Sequence, residues 1–176
     1  MKKPSRLMPK YIPKKADAIS VVVALLVFLG VAIVYPVFGL VLLGMTALVI
    51  VWSYIEKPRT DKFYEKLCSK RQGLSICDFS KEFNPKEIDT WVIRATYEQI
   101  QENIPFDREV PIRGEDKLQD DLGFDDDDLD LDLAEQISQR TGRTLKGCEN
   151  NPYFGKVHTV KDLVLFFNNQ PNENAT

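Results

Sequence analysis

The sequence predicts an all-α protein in two parts, an N-terminal transmembrane helical hairpin followed by a small helical bundle. Residues 18–55 form a run of 38 without an ionisable side chain, which excludes a purely soluble protein. After residue 85, apolar residues recur every three or four positions, as in amphipathic helices. The chain has 176 residues, so about 120 remain for one folded domain with a modest core.

The apolar run is too long for one membrane span, because a single span needs about 20 residues. Pro36 and Gly39 interrupt it near its centre and predict a break between two helices, over 18–35 and 37–54. Each helix would be about 27 Å long. The run carries no intramembrane charge of the kind that marks transport, so we expect the hairpin to be an anchor in the lipid bilayer.

The flanking charges predict the orientation of this hairpin. Three basic residues, Lys57, Arg59 and Lys62, follow it, whereas the predicted turn has no charge. Six basic residues precede it: Lys2, Lys3, Arg6, Lys10, Lys14 and Lys15. By the positive-inside rule, we expect both termini in the cytoplasm and a multi-pass membrane protein. Two alternatives to this topology are a cleaved signal peptide and one bent span with the C-terminal domain outside.

The chain has three cysteines and no CxxC motif, which fits a reducing compartment.

The sequence divides into five segments. We predict a basic N-terminus over 1–17, the hairpin over 18–55, and a juxtamembrane linker with a short helix over 56–84. The bundle follows over 85–168, and a polar tail over 169–176.

Three helices are predicted within the bundle. The first enters at Pro85 and ends before Pro105. The second buries Leu133 and Ile137, and Gly142 ends it. The last runs over 160–167 behind Thr159 as its N-cap.

A strongly acidic segment lies at the centre of the bundle. Between Glu109 and Glu135 there are twelve acidic residues against Arg113 and Lys117, a net charge of −10 that argues against a nucleic-acid partner. We predict that its centre binds a basic protein partner. The predicted contact residues are Asp125, Asp126, Asp127, Asp128, Leu129, Asp130 and Asp132. Two other interpretations are a solvated helix start and a calcium loop beginning at Asp121, although that loop lacks the glycine and glutamate of the EF-hand pattern.

Two motifs at a specific separation resemble the acyl carrier protein family, and most of all its divergent bacterial members of unassigned function. They are the D-L-G turn within 117–124 and the sequence T-V-K-D-L at 159–163. The resemblance covers about 86–168 and implies a helical bundle whose acidic second helix docks onto basic patches of enzymes. Family members attach phosphopantetheine to a serine at the start of that helix. Asp126 or Asp128 occupies this position here, and a carboxylate cannot accept the group, so we expect no cofactor.

We therefore predict a membrane-anchored, non-catalytic docking module without catalytic or metal-binding residues. His158 is the only histidine, and no phosphate-binding loop is present. Two alternatives remain. One is a genuine acyl carrier with a displaced attachment site, and the other is an immunity or regulatory protein that neutralises a basic toxin or enzyme. The oligomeric state is not predicted.

Overall fold

A computed structural model describes residues 4–13, 18–125 and 132–172. Within these ranges the protein has six α helices and no β-strand, which confirms the predicted helical class. The helices are α1 (Ala18–Val34), α2 (Pro36–Lys70), α3 (Ile76–Lys81), α4 (Thr90–Asn103), α5 (Ala134–Thr141) and α6 (Val160–Asn169). Short 3-10 turns lie at Ser5–Leu7 and Cys148–Asn150.

The chain forms two compact units. One comprises Ile12–Phe63, and the other joins Met1–Tyr11 to Tyr64–Thr176. In the first unit, α2 is the one helix of the described residues that is long and apolar enough to cross a membrane. The shorter α1 is also apolar and ends next to the predicted break, so that Pro36 takes the first position of α2, where its missing N–H is not needed. A hairpin of two membrane-spanning helices is not confirmed.

The long helix α2 differs from the sequence prediction, which placed a linker with a separate short helix after residue 55. The helix instead continues through Pro58 to Lys70. A proline inside a helix removes one backbone hydrogen bond and strains the preceding turn. The end of α2 is held by tertiary contacts, because Tyr64 is buried and its hydroxyl donates to the Leu122 carbonyl at 2.8 Å. These contacts offset the local cost of Pro58.

Helix α4 is the centre of the folded domain and packs against α3, α5 and α6. It begins at Thr90 rather than at Pro85, because the Asp89 carboxylate accepts a hydrogen bond from the Trp91 N–H at 3.0 Å and caps the helix. Its inward face includes Val92 and Ala95, which are fully buried. This buried face matches the predicted apolar spacing.

The ends of α5 and α6 follow local sequence signals. In α6, the Thr159 hydroxyl accepts from the Asp162 N–H at 3.1 Å, while the Asp162 carboxylate accepts from the Thr159 N–H at 3.0 Å. Gly142 ends α5 with φ +69°, a left-handed conformation that glycine adopts without steric cost. Both helix ends agree with the sequence prediction.

The long connection after α4 is held by a buried ion pair. The Asp116 carboxylate lies 2.6 Å from the Arg71 guanidinium, and its side chain is only 4% exposed. The same carboxylate accepts the Arg113 N–H at 2.8 Å. The backbone carbonyl of Asp116 also accepts a hydrogen bond from the Val160 N–H at 3.0 Å. One residue therefore joins the end of α2, this connection and the start of α6.

Candidate docking segment and neighbouring cavity

The turn that precedes the acidic segment is a compact, hydrogen-bonded unit over residues 117–124. The Lys117 carbonyl accepts from the N–H groups of Asp121 and Leu122 at 3.0 and 3.2 Å, and the Phe124 N–H donates to Leu118 at 2.9 Å. The side chains of Leu118, Leu122 and Phe124 are buried in the core. Between these buried residues, Asp120 is exposed and Asp121 is half-buried.

Gly123 is required by the shape of this turn. Its φ of +76° is strained for any residue with a side chain, and an added Cβ would lie 3.3 Å from the Tyr64 hydroxyl. That hydroxyl is also the group that anchors α2 to Leu122. The glycine of the D-L-G turn therefore lets the end of α2 approach the backbone closely.

The structure places two of the predicted contact residues at the ends of the acidic segment. Asp125 follows the turn and Asp132 precedes α5, and both are exposed. Leu133 and Ile137 next to Asp132 are fully buried, so both ends of the segment are anchored to the core. Five of the predicted contact residues, Asp126, Asp127, Asp128, Leu129 and Asp130, lie outside the described residues.

Four acidic residues near the segment already have partners inside the domain. Asp116 pairs with Arg71, as described above, and the Asp121 carboxylate accepts the Lys117 N–H at 3.0 Å. On the surface, Asp120 lies 3.0 Å from the Lys117 ammonium, and Glu115 lies 3.4 Å from the Lys161 ammonium. The twelve acidic residues are therefore not equivalent, because these four contribute to contacts within the domain.

Two sequence predictions concern an attachment serine and a metal site. The Ser138 hydroxyl, the nearest to the family's attachment position, donates to the Arg143 carbonyl at 2.6 Å and supports the end of α5. Among the described residues, no three His, Cys, Asp or Glu side chains are grouped as a metal site. Half of the calcium loop, residues 126–131, lies outside the described residues, as does the family's serine position, Asp126 or Asp128.

A cavity of about 960 Å³ lies beside the 117–124 turn. Its walls come from α5, α6 and the connection between them, and they are mainly apolar. The apolar lining side chains are Leu118, Ala134, Leu145, Val157, Leu163, Phe166 and Phe167, with the half-exposed Phe154 also bordering the space. This volume is in the range of small-molecule binding pockets. The sequence did not predict the cavity, because its walls combine residues from distant segments.

Polar groups also border this cavity, including Lys117, Asp120 and His158, all of which are exposed. The hydrogen bond from Lys117 to the Asp120 carboxylate raises the pKa of the lysine ammonium above its usual value. Lys117 is therefore cationic near neutral pH. The cavity thus combines an apolar interior with a charged border.

Comparisons of the chain with models of protein families, with curated proteins and with solved structures find no match.

Proposed function

We propose that this protein is a membrane-anchored, non-catalytic docking module that binds a basic protein partner through the acidic segment 125–132. The observation that carries the proposal is the net charge of −10 between Glu109 and Glu135. Both ends of the segment are anchored by buried side chains, and Asp125 and Asp132 are exposed there. A surface of this kind attracts a basic partner and selects against acidic ones.

The acidic segment 125–132 carries more carboxylates than the stability of a helix start requires. One or two acidic residues in the first turn favour the positive end of the helix dipole. Six carboxylates within residues 125–132 repel one another, and this repulsion opposes folding. A basic partner that neutralises them relieves the repulsion. The resemblance to acyl carrier proteins, whose second helix docks onto basic patches, supports the same function without the prosthetic group.

Replacing Asp126 and Asp128 by asparagine should weaken partner binding by about tenfold or more, mainly through a slower association rate. The melting temperature should stay equal or rise slightly, because repulsion is reduced. Affinity capture from native membranes identifies the basic partner, and binding kinetics at increasing salt then measure its association rate with wild type and variant. Association with the wild type should slow as salt rises.

A variant with Asp107→Asn and Glu149→Gln is the matched control, since it removes the same charge from two exposed residues outside the acidic stretch. It should bind nearly as well as the wild type. If the Asp126/Asp128 variant melts at a lower temperature and binds normally, the carboxylates are structural or hold a cation, and the docking function is wrong. If calcium raises the melting temperature of the wild type but not that of the Asp126/Asp128 variant, the carboxylates bind the cation.

We further propose that the protein is multi-pass in the bacterial inner membrane, with both termini in the cytoplasm. Nine basic residues flank the apolar run 18–55, and none lies within it. In addition, the segments that precede and follow Ile12–Phe63 belong to the same compact unit. This shared unit supports the proposal that both flanks lie on the same side of the membrane, as two crossings require.

The cavity supports a second candidate function, the binding of a single hydrocarbon chain. Its apolar walls and charged border fit an amphiphile such as a long-chain fatty acid. A genuine acyl carrier with a displaced attachment site would also use such a cavity. In that case the mass of the purified protein would be higher by one phosphopantetheine group.

Ala134→Trp should abolish binding of a fatty acid to the cavity, because the indole would occupy the space that Ala134 borders. Gln139→Trp, at an exposed position of the same helix, is the control and should retain binding. Fatty-acid affinity is measured by titration calorimetry in detergent, below the concentration at which the fatty acid forms micelles. Equal affinity for the two variants would exclude the cavity as the binding site.

A further inference from the structure

A short N-terminal segment, Pro4–Tyr11, lies on the face formed by α4 and the end of α5. Only one of its side chains, Met8, enters the core, where it is 8% exposed. The carbonyl of the next residue, Pro9, accepts a hydrogen bond from Arg140 Nε at 3.1 Å. The segment is thus held by one inserted side chain and one backbone carbonyl.

Arg140 is oriented for this contact by α4. Its side chain is 3% exposed, its guanidinium pairs with Glu98, and it also donates to the Gln99 amide oxygen at 3.3 Å. These bonds fix two of the three nitrogens and leave Nε directed at the incoming carbonyl. A buried donor that is already oriented, next to the space that Met8 fills, is suited to bind a peptide backbone.

Most of the segment contributes little to the contact. Pro4, Arg6, Leu7, Pro9 and Lys10 are exposed, and the Leu7 side chain has 59% of its surface accessible. Ordering a peptide costs conformational entropy at every residue, whereas the gain here comes from one buried side chain and one hydrogen bond. The two terms oppose each other, so a minor released state is accessible from the docked state.

We propose that the α4–α5 face is a peptide-docking surface whose ligand is the chain's own N-terminal segment, and that this segment is a releasable strap. The strap exchanges between a docked state, with Met8 inserted and Pro9 bonded to Arg140, and a released state. This inference is independent of the proposed docking of a basic partner, which involves other residues.

Trypsin cleavage of the Lys10–Tyr11 bond tests the strap in the full-length protein in detergent micelles, with the cleaved bond identified by mass spectrometry. Met8→Asp should accelerate this cleavage by about tenfold or more, because cleavage follows the released population. Leu7→Asp is the matched control and should cleave at the wild-type rate, since Leu7 is exposed. Met8→Leu should also keep the wild-type rate.

A synthetic peptide of residues 4–11 with glutamine in place of the exposed Arg6 and Lys10, so that trypsin does not cleave it, is added to the wild type in millimolar excess. It should displace the strap and accelerate the same cleavage. The peptide with aspartate in place of Met8 should have no effect. Equal cleavage of the wild type and Met8→Asp would overturn the proposal. It would also fail if the peptide is inert, or if Met8→Asp opens all tryptic sites of the domain together, because the segment would then be a fixed part of the core.

Discussion

Replacing Asp116 by alanine should lower the free energy of unfolding of the folded domain by about 3–5 kcal/mol, the cost of breaking a buried ion pair by removing one partner. Arg71, whose side chain is 17% exposed, would lose its carboxylate 2.6 Å away. The Arg113 N–H would also lose its acceptor. Because Asp116 joins three parts of the domain, its removal affects the connection after α4 as a whole.

Chemical denaturation in detergent, followed by the fluorescence of Trp91 in α4, measures this loss. Trp52 in the apolar part of α2 is replaced by phenylalanine in every variant, so that only Trp91 reports. Asp120→Ala is the matched control. Its ion pair with Lys117 is exposed, with 71% of the Asp120 side chain accessible, so the change should be at most about 1 kcal/mol. Similar losses for the two variants would show that the Arg71 pair has no special role.

A reporter fused after residue 176 should show cytoplasmic activity and no alkaline phosphatase activity, an all-or-none result. Alkaline phosphatase fused after Tyr35, between α1 and α2, should be active, because this position has no flanking charge and lies in the periplasm under the proposed topology. The two fusions are compared in the same strain at equal protein levels. Phosphatase activity of the fusion at residue 176 would overturn the topology and the reducing-compartment prediction with it.

Features that depend on neighbouring residues could be predicted from the sequence. The cap of α6 requires only Thr159 and Asp162, three positions apart, and the end of α5 requires Gly142. The inward face of α4 follows from its apolar spacing. In these cases the hydrogen bonds and buried contacts form within one or two helical turns.

Features that depend on distant residues could not be predicted. Pro58 indicates a helix break, but α2 continues because Tyr64 is anchored to Leu122, 58 residues later. Met8 lies in a basic segment without apolar periodicity, so nothing local indicates that it joins the core. The cavity likewise arises from segments that meet only in the folded domain. The docking segment was predicted from charge alone, and the structure places its two ends, Asp125 and Asp132, at the surface.

The contact between Pro9 and Arg140 also imposes an order on biosynthesis, because the two residues are 131 positions apart. At about 5–20 residues per second, Arg140 is synthesised about 7–26 s after Pro9. Both apolar helices lie between them and leave the ribosome first. Under the proposed topology, these helices can therefore enter the lipid before the domain closes, and the N-terminal segment must stay accessible on its own side until translation is nearly complete.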